Sequence, residues 1–365
     1  MIGRADERIP VIVISGFLGA GKTTLLGRML SGAGGKRTAV IINEFGEISL
    51  DHLLVQNVQG SCLVLKNGCI CCVIRADLRQ AIRDLIDMRD GPDGPLFDRI
   101  VIETTGLADP DPIAQTLTSD PMLVRQVRFS RVITVVDALH GALQIETEDA
   151  CLNQIAMADQ IVLTKTDLAD REQITAIASR LTSINPAASI IDAREWDGTW
   201  PELLKEASSS IEEAMTRTRL LSSRLSAFRP ASDSEALDVW RHRSGIGSFH
   251  IRCTEEIDWT VFAVWLSALV HHYGDRILRI KGLLFAPGRS GAIAIHVVRY
   301  HIHEPVHLEE WPDIDRSTKI VFIVRGLDSV AVQRSFLAIV CGSMSPSTLG
   351  NPLGDSSRLA AQEGP

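Results

Sequence analysis

The sequence predicts an α/β domain built on a mostly parallel sheet, followed by a small α+β domain. Two observations carry this prediction. Short apolar runs alternate with amphipathic stretches through the first part of the chain, and this alternation stops near residue 205. Continuous apolar strands separated by helices are typical of a parallel sheet covered on both faces. A length of 365 residues also exceeds one ordinary core, so two domains are expected.

The elements of the first domain follow from these runs in order. PVIVIS (residues 10–15) carries four β-branched residues and predicts the first buried strand. Similar apolar runs predict strands at residues 38–42, 98–103, 131–137 and 160–164. A helix is expected over residues 75–88, because its apolar side chains recur at helical spacing: Leu78, Ile82, Leu85 and Ile86.

A second unit is expected to begin near Gly245, after a polar Ser/Ala-rich segment. Its order of β-α-β-β-β-α predicts a small α+β domain with a mostly antiparallel sheet. We expect its first helix to bury one apolar face made of Val261, Val264, Trp265, Ala268 and Leu269. The predicted division is a first domain at 1–215, a linker at 216–244, a second domain at 245–342 and a disordered tail at 343–365.

The charge, the lengths of the apolar segments and the cysteine count exclude several classes of protein. A net charge of −8 without a basic stripe argues against nucleic acid as a main partner. No segment resembles a signal peptide or reaches the roughly 18 apolar residues of a membrane helix, so a cytoplasmic protein without a membrane partner is expected. The seven cysteines are then free thiols or metal ligands rather than a disulfide framework.

The stretch VIVISGFLGAGKTTLL contains Gly16-x-x-x-x-Gly21-Lys22-Thr23, the complete phosphate-loop pattern. A buried strand precedes it and a helix-forming run follows, as the motif requires. Glycines let successive backbone N–H groups point at phosphate at the positive end of a helix. Lys22 is expected to reach the β- and γ-phosphates, and the Thr23 hydroxyl to ligate Mg²⁺. The first domain is therefore predicted to be a P-loop NTPase.

A second element, IVLTKTDL (residues 161–168), is expected to recognise the nucleotide base. GTPases use Asn-Lys-x-Asp at such a strand end, and the aspartate accepts hydrogen bonds from guanine donors that adenine lacks. Thr164 stands in place of the asparagine, while Lys165 and Asp167 remain. The sequence therefore favours GTP.

A third element, DRIVIETTGLADP (residues 98–110), places Glu103 at the end of a predicted buried strand. A carboxylate there can hold Mg²⁺ directly or through water, although Glu103 as a capping residue is the alternative. Gly106 can bring its backbone N–H close to a γ-phosphate. We name Lys22 and Glu103 as the catalytic candidates. The candidate nucleotide contacts are Gly16, Gly19, Ala20, Gly21, Lys22, Thr23, Thr24, Gly106, Thr164, Lys165 and Asp167.

Three thiols lie within four residues in LKNGCICCVIR: Cys69, Cys71 and Cys72. A turn after Gly68 would bring all three toward one ion, and thiolates favour tetrahedral zinc sites at roughly 2.3 Å. Three sulfurs leave one position open, which suits transfer of the ion. The alternatives are small buried core residues or a catalytic thiol, for which no His or Asn partner is evident. The stretch HVVRYHIHEPVH contains His296, His301, His303 and His307. His301 and His303 share one face of an extended strand and could bind a metal, but we interpret them as solvated edge residues and assign none of the four to a site.

These motifs together resemble the CobW-type family of metallochaperone GTPases, relatives of the nickel-inserting GTPases of urease and hydrogenase maturation. The motifs are GFLGAGKTTLL, NEFGEISLD, NGCICC, ETTGLADP and TKTD, in the family's order and spacing. The resemblance covers about residues 9 to 342. It implies GTP with Mg²⁺ as cofactor, zinc or cobalt as cargo, and a client metalloenzyme that receives it.

The resemblance also suggests Glu47 as the carboxylate that completes the cysteine site, since residues 43–51 lie where GTPase switch loops lie. One departure is Ile42, where some members have an acidic residue before Asn-Glu-Phe-Gly. Two other functions stay open at this point: a P-loop small-molecule kinase or ATPase with structural cysteines, and a metal-sensing module that does not hydrolyse nucleotide. The sequence leaves open whether the protein is a homo-oligomer.

Overall fold

The computed structural model describes the chain at residues 8–31, 37–44, 62–66, 73–92, 94, 97–196, 245–312 and 316–342. Two sheets form within these residues, one in each predicted domain. No described helix combines the length and the apolarity that crossing a membrane requires. The predicted linker and tail lie outside the described residues, so the domain boundaries remain predictions.

Seven strands form the first sheet in the order β3-β2-β4-β1-β5-β6-β7, and every pairing is parallel. Their bounds are Ile9–Gly16 (β1), Thr38–Glu44 (β2), Cys62–Lys66 (β3), Arg99–Glu103 (β4), Val127–Asp137 (β5), Gln160–Thr164 (β6) and Ser189–Asp192 (β7). The predicted α/β class with a mostly parallel sheet is thus confirmed. The sequence does not predict β3 and β7, which are short and lie at the two edges of the sheet.

Helices cover both faces of this sheet. Successive residues of a strand point to opposite faces, so each strand contributes side chains to two cores. Ile12 and Ile14 pack with the apolar side of α1 (Lys22–Ser31), whereas Val11 and Val13 belong to the core on the other side. The helices that contribute to this second core are α2 (Val73–Asp90), α3 (Asp111–Ser119), α4 (Leu123–Gln126), α5 (Gly141–Thr147), α6 (Asp149–Met157) and α7 (Arg171–Ile184). Burial on both sides explains why the strands read as continuous apolar runs.

The second sheet is antiparallel, with the order β11-β10-β9-β13-β8 and with β12 paired to β10. Its strands are Ile246–Cys253 (β8), Ile277–Leu284 (β9), Ile293–Val298 (β10), His301–Ile302 (β11), Val306–His307 (β12) and Thr318–Arg325 (β13). Two helices accompany it, α8 (Trp259–Tyr273) and α9 (Ser329–Ile339). The predicted α+β domain is confirmed, with two short strands added to the expected order.

The predicted buried face of α8 is wrong in part. Trp265 and Leu269 are buried as predicted, but Val261, Val264 and Ala268 are exposed. The buried side chains are Phe262, Trp265, Leu266, Leu269 and Val270. The true face is rotated by roughly a quarter turn around the helix axis. Because α8 is apolar on most sides, the spacing of apolar residues does not by itself select the face that the sheet covers.

Three helices begin with an aspartate whose side chain accepts backbone N–H groups of the first turn. Asp170 caps α7 in a reciprocal capping box with Gln173. Asp258 and Asp328 cap α8 and α9 in the second domain by accepting two backbone N–H groups each. Such caps satisfy N–H groups that have no partner inside the helix, and each stabilises its helix by about 1 kcal/mol.

The two domains share a buried interface. Apolar residues of the second domain, Ile246, Leu278, Val298 and Ile323, join the core of the first. Beside them, the Asp159 carboxylate forms ion pairs with Arg279, which is fully buried, and with Lys281 at 3.0 Å. Burial alone would raise the pKa of Asp159, but the positive charges of Arg279 and Lys281 outweigh it and hold the pKa well below its usual value.

Candidate functional site

The phosphate-loop sequence forms the turn between β1 and α1. Gly16, Gly19 and Gly21 have φ angles of 142°, 72° and 94°, which residues with side chains rarely adopt. At Gly16 a side chain is also excluded by space, since an added Cβ would lie 2.3 Å from the carbonyl oxygen of Val135. The glycines therefore allow a backbone path that leaves the N-terminus of α1 open toward an anion.

Lys22 is the first residue of α1, and its side chain is buried over this loop. Its Nζ donates to the carbonyl oxygens of Gly16 at 2.9 Å and Phe17 at 3.1 Å. These bonds hold the ammonium group at the loop, where a phosphate would need it. Ala20 is buried within the loop, and Thr24 is exposed on the first turn of α1.

Thr23 and Glu103 meet although 80 residues separate them in sequence. The Thr23 Oγ1 donates to Glu103 Oε1 at 2.7 Å. Strand β4 pairs directly with β1, and the register Ile14↔Glu103 brings the carboxylate to the end of β1 where the loop begins. A hydroxyl and a carboxylate are the hard oxygen ligands that Mg²⁺ prefers, so these two side chains fit the predicted magnesium role.

Gly106 lies against the phosphate loop. A Cβ added there would lie 2.7 Å from both the backbone nitrogen and the Cα of Leu18, so only glycine permits this approach. The segment is held from behind by Gln154 on α6, which is fully buried and whose Nε2 donates to the carbonyl oxygens of Gly106 and Ala108 at 3.0 Å each. Gln154 gave no signal in the sequence, because a glutamine in an apolar helix belongs to no motif.

Thr164 ends β6 and binds the phosphate loop through its hydroxyl. Oγ1 donates to the carbonyl oxygen of Ala20 at 2.7 Å. Next in the chain, Lys165 adopts a φ of 55°, which is uncommon for a residue other than glycine. Thr164, which replaces the asparagine of the usual Asn-Lys-x-Asp element, therefore still provides a polar group that binds the element to the phosphate loop.

Asp137 at the end of β5 holds Lys165 in this position, with 2.7 Å between Nζ and Oδ2. Burial favours the neutral form of Asp137, but hydrogen bonds from Lys165 and His140 outweigh it and leave the pKa below its usual value. The side chain is therefore ionised near neutral pH. Sequence reasoning missed Asp137, although its position after an apolar strand is the same signal that identified Glu103.

Asp167 is exposed on the turn that follows β6, where it is open to a base. Thr166 beside it is buried and donates to Asp192 at the end of β7, with 2.7 Å between the oxygens. The loop, Glu103, Gly106 and the Thr164–Asp167 turn all lie at the carboxyl edge of one parallel sheet, which is where such sheets bind ligands. The predicted nucleotide contacts are thus brought together.

The candidate metal ligands Cys69, Cys71, Cys72 and Glu47 lie outside the described residues. The strands before them are described, however, and β2 pairs with β3 in the register Glu44↔Lys66. The described residues contain no group of three or more His, Cys, Asp or Glu side chains that would hold a metal ion.

His303 is not a solvated edge residue as expected, whereas His307 is exposed on β12. His303 stacks on His296, with 4.6 Å between ring centroids, and its ring lies 6.1 Å from Phe129 of the first domain. Burial lowers the pKa of His303 to about 3, so the ring is neutral at physiological pH. These side chains belong to the domain interface.

Two family models match the chain. The nucleotide-binding domain of CobW/HypB/UreG matches residues 10–192, and the cobalamin synthesis protein CobW C-terminal domain matches residues 246–340. Together they span both sheets described above.

Curated relatives match over nearly the whole chain. The zinc chaperone YjiA of Escherichia coli is 31% identical over 91% of this chain and 98% of its own length. The zinc chaperone CobW of Pseudomonas aeruginosa is 31% identical over 89% of this chain and 90% of its own. The crystal structure of Zn(II)-bound YjiA GTPase from E. coli superimposes with a TM-score of 0.64 at 27% identity, covering 91% of this chain and 99% of that one. The chain therefore belongs to the CobW/HypB/UreG family, with that family's nucleotide-binding domain followed by a CobW C-terminal domain.

Proposed function

We propose that this protein is a GTP-hydrolysing metallochaperone of the cytoplasm. It binds zinc, or cobalt, at Cys69, Cys71 and Cys72 with Glu47, and it delivers the ion to a client metalloenzyme under control of the bound nucleotide. The observation that carries the metal part of this proposal is the register of β2 and β3, next to the strand whose Glu103 contacts the phosphate loop.

GTP hydrolysis follows from family membership together with the site. The chain is a GTPase, and relatives such as the YjiA GTPase share both of its domains. Lys22 lies where it can meet the phosphates, and the Thr164–Asp167 turn offers the guanine-reading carboxylate. Mg²⁺, when bound, would be held by Thr23 and Glu103 and would neutralise charge on the phosphates.

The strand register supports a shared location for the metal ligands. Glu44 and Lys66 are paired neighbours at the same edge of the sheet. Glu47 follows Glu44 by three residues, and Cys69 follows Lys66 by three residues. Three residues span at most about 10 Å, a length that would allow Glu47 and Cys69 to reach one ion.

The same register supports a link between the metal and the nucleotide. Strand β2 lies between β3 and β4, and Ile42 pairs with Glu103. The carboxylate of Glu103 contacts Thr23 of the phosphate loop. A change of nucleotide at the loop would therefore act on β4, which pairs with β2, the strand that precedes Glu47, and β2 in turn pairs with β3, the strand that precedes the cysteines.

The test is a chelator-competition titration of Zn²⁺ and of Co²⁺, with a non-hydrolysable GTP analogue and with GDP. We expect the analogue state to bind metal more tightly by about 5–150-fold, the usual range of coupling between sites. The reverse titration must give the same factor for analogue affinity with and without metal. Cys71→Ser and Cys72→Ser should each weaken metal binding in the analogue state.

The matched control is Cys151→Ser, which replaces a buried thiol in the same domain. It should leave metal affinity unchanged. Total zinc content is not a sufficient measurement, because a YjiA variant with one glutamate and two cysteines replaced by alanine is also Zn(II)-bound in its crystal. Equal metal affinities in both nucleotide states would rule out the delivery cycle and leave a GTPase with a structural metal.

A further inference from the structure

Two thiols of the second domain lie side by side. The Sγ atoms of Cys253 and Cys341 are 3.4 Å apart, although 88 residues separate them in sequence. A disulfide requires about 2.05 Å. The two sulfurs therefore need to approach by only about 1.4 Å to form a covalent bond.

The surroundings of the two sulfurs differ in a way that suits oxidation. Cys253 is the last residue of β8 and is buried in the core of the second domain. Cys341 follows the end of α9 and is partly exposed. Gly342 next to it has a φ of 57°, so the chain turns sharply there. The thiol of Cys341 is thus the one that solvent reaches, and the thiol of Cys253 is buried next to it.

The pair also shares a proton. The hydrogen bond between the thiols lowers the pKa of Cys253 to about 6 and raises that of Cys341, and either sulfur can be the donor. One of the two sulfurs is therefore a thiolate near neutral pH, and the thiolate is the nucleophile of disulfide exchange. By contrast, burial raises the pKa of Cys151 to about 12, which leaves that thiol inert.

We propose that Cys253 and Cys341 form a reversible disulfide when the protein meets a small-molecule disulfide. The geometry carries this inference, because the two sulfurs are nearly in contact and one member of the pair is partly exposed. The proposal concerns only the second domain and does not depend on GTP or on zinc.

The chemistry balances as thiol–disulfide exchange. Because Cys253 has the lower pKa, the one proton that the pair keeps near neutral pH lies mainly on Cys341, and its transfer along the hydrogen bond to Cys253 yields the Cys341 thiolate. That thiolate attacks one sulfur of the small disulfide RS–SR, and one RS⁻ leaves and takes up a proton. Cys253, losing its proton, then attacks the Cys341 sulfur of the mixed disulfide, and the second RS⁻ leaves and is protonated. Two protein thiols are oxidised and one small disulfide is reduced to two RSH.

The bond would tie the edge strand β8 to the end of α9. Strand β8 pairs only with β13, so its other edge lacks a neighbour within the described sheet. A crosslink across 88 residues restricts the unfolded chain strongly. Oxidation is therefore expected to raise the midpoint of thermal unfolding of the second domain.

The experiment treats the full chain with oxidised glutathione and maps the peptides without reduction. We expect Cys253 and Cys341 to be recovered as one crosslinked pair with a mass lower by two hydrogen atoms, and reduced glutathione to reverse the change. Cys253→Ser should leave a glutathione adduct on Cys341, since no second thiol resolves it. The matched control Cys151→Ser should form the crosslink as the parent does.

The wild-type peptide map decides the proposal even if a variant folds poorly. Separate, fully alkylatable Cys253 and Cys341 after oxidation would overturn it. So would pairing of either residue with a cysteine of the first domain. Protection of both thiols by added Zn²⁺ without any crosslink would instead assign the pair to metal binding and also overturn it.

Discussion

At the scale of single residues, Thr164 ties the proposed base-reading turn to the phosphate loop. Its hydroxyl donates to the Ala20 carbonyl inside the phosphate loop, and its methyl group lies where Gly21 passes. A threonine can thus replace the asparagine of the usual element because the loop requires one short donor at this point. The carboxylate of Asp167, which we propose reads the base, is left unchanged.

Thr164→Val tests this role, since valine keeps the shape and removes the donor. Loss of one hydrogen bond to a buried carbonyl costs about 1 kcal/mol, so GTP affinity should fall about fivefold. The control is Thr175→Val on α7, whose hydroxyl bonds only to the carbonyl one turn earlier in its own helix. Equal GTP affinities of parent and Thr164→Val in a fluorescence titration would contradict the assignment.

Asp167→Asn tests the choice of base. The amide replaces an acceptor pair by one donor and one acceptor, which suits xanthine better than guanine. The variant should lose GTP binding and gain XTP binding in competition titrations. Asp170→Asn, three residues away, is a matched control because asparagine also caps helices well. A variant that keeps the parent's GTP preference would show that another residue reads the base.

At the scale of elements, the close approach of the β4 end to the phosphate loop depends on Gly106. Gly106→Ala would push the segment away from Leu18, since its Cβ would lie 2.7 Å from backbone atoms. Hydrolysis should fall by about 100-fold, the scale of a misplaced catalytic segment. The measurement is GTP turnover at saturating nucleotide.

Gly27→Ala is the control for that substitution. Gly27 lies inside α1, and an added Cβ there meets no atom within 4 Å. Alanine in a helix interior should raise the free energy of unfolding by about 0.5–1 kcal/mol and leave turnover unchanged. If both variants lose turnover alike, the loss reflects general damage to the domain rather than the Gly106 contact.

The elements also show how far sequence reasoning reaches. Central strands and the phosphate loop are predicted well, because β1 and β5 are buried on both faces and the glycines have a fixed spacing. The edge strands β3 and β7 are missed because they are short, and the buried face of α8 is missed because that helix is apolar on most sides. Gln154 is beyond sequence reasoning, since its role depends on a contact across 48 residues.

At the scale of the whole molecule, the neutral histidines at the domain interface make stability depend on pH. The folded protein holds the pKa of His303 at about 3, whereas an unfolded chain protonates near 6.5. Stability is therefore lost as pH falls below about 6.5, and this histidine alone should cost about 2 kcal/mol at pH 5.

Denaturant unfolding at pH 7.5 and pH 5 measures this effect. His303→Phe keeps a ring and removes the titration, so its stability should fall less between the two pH values than that of the parent. His307→Phe is the control, because His307 is exposed on β12. Identical pH dependence of the parent and His303→Phe would contradict the role assigned to His303.

The second domain also contacts the segment beside the nucleotide. Arg325 on β13 donates to the Asn153 side chain, and Asn153 donates to Asp109 at 3.4 Å. Arg299 meets Asp111 at 3.1 Å. Both aspartates follow Gly106 closely in sequence, so the second domain helps to fix the position of this segment.

Arg325→Ala should reduce kcat for GTP about tenfold, because a less fixed segment presents Gly106 less accurately to the γ-phosphate. GDP affinity should stay unchanged, since GDP lacks that phosphate. Arg276→Ala, an exposed arginine of the same domain, is the matched control. A kcat equal to that of the parent would show that the segment holds its position without Arg325.

The interface between the two domains determines whether each domain can fold on its own. Two separate family models cover the chain, which suggests two interchangeable modules. In this chain, however, the second domain cut out alone would present Ile246, Leu278, Val298 and Ile323 to water and would leave Arg279 and Lys281 adjacent without the Asp159 carboxylate. Like charges at close range and a bare apolar patch both disfavour a freestanding fragment. Replacing one domain of this chain by that of a distant relative would therefore also require matching changes on the facing surface of the other domain.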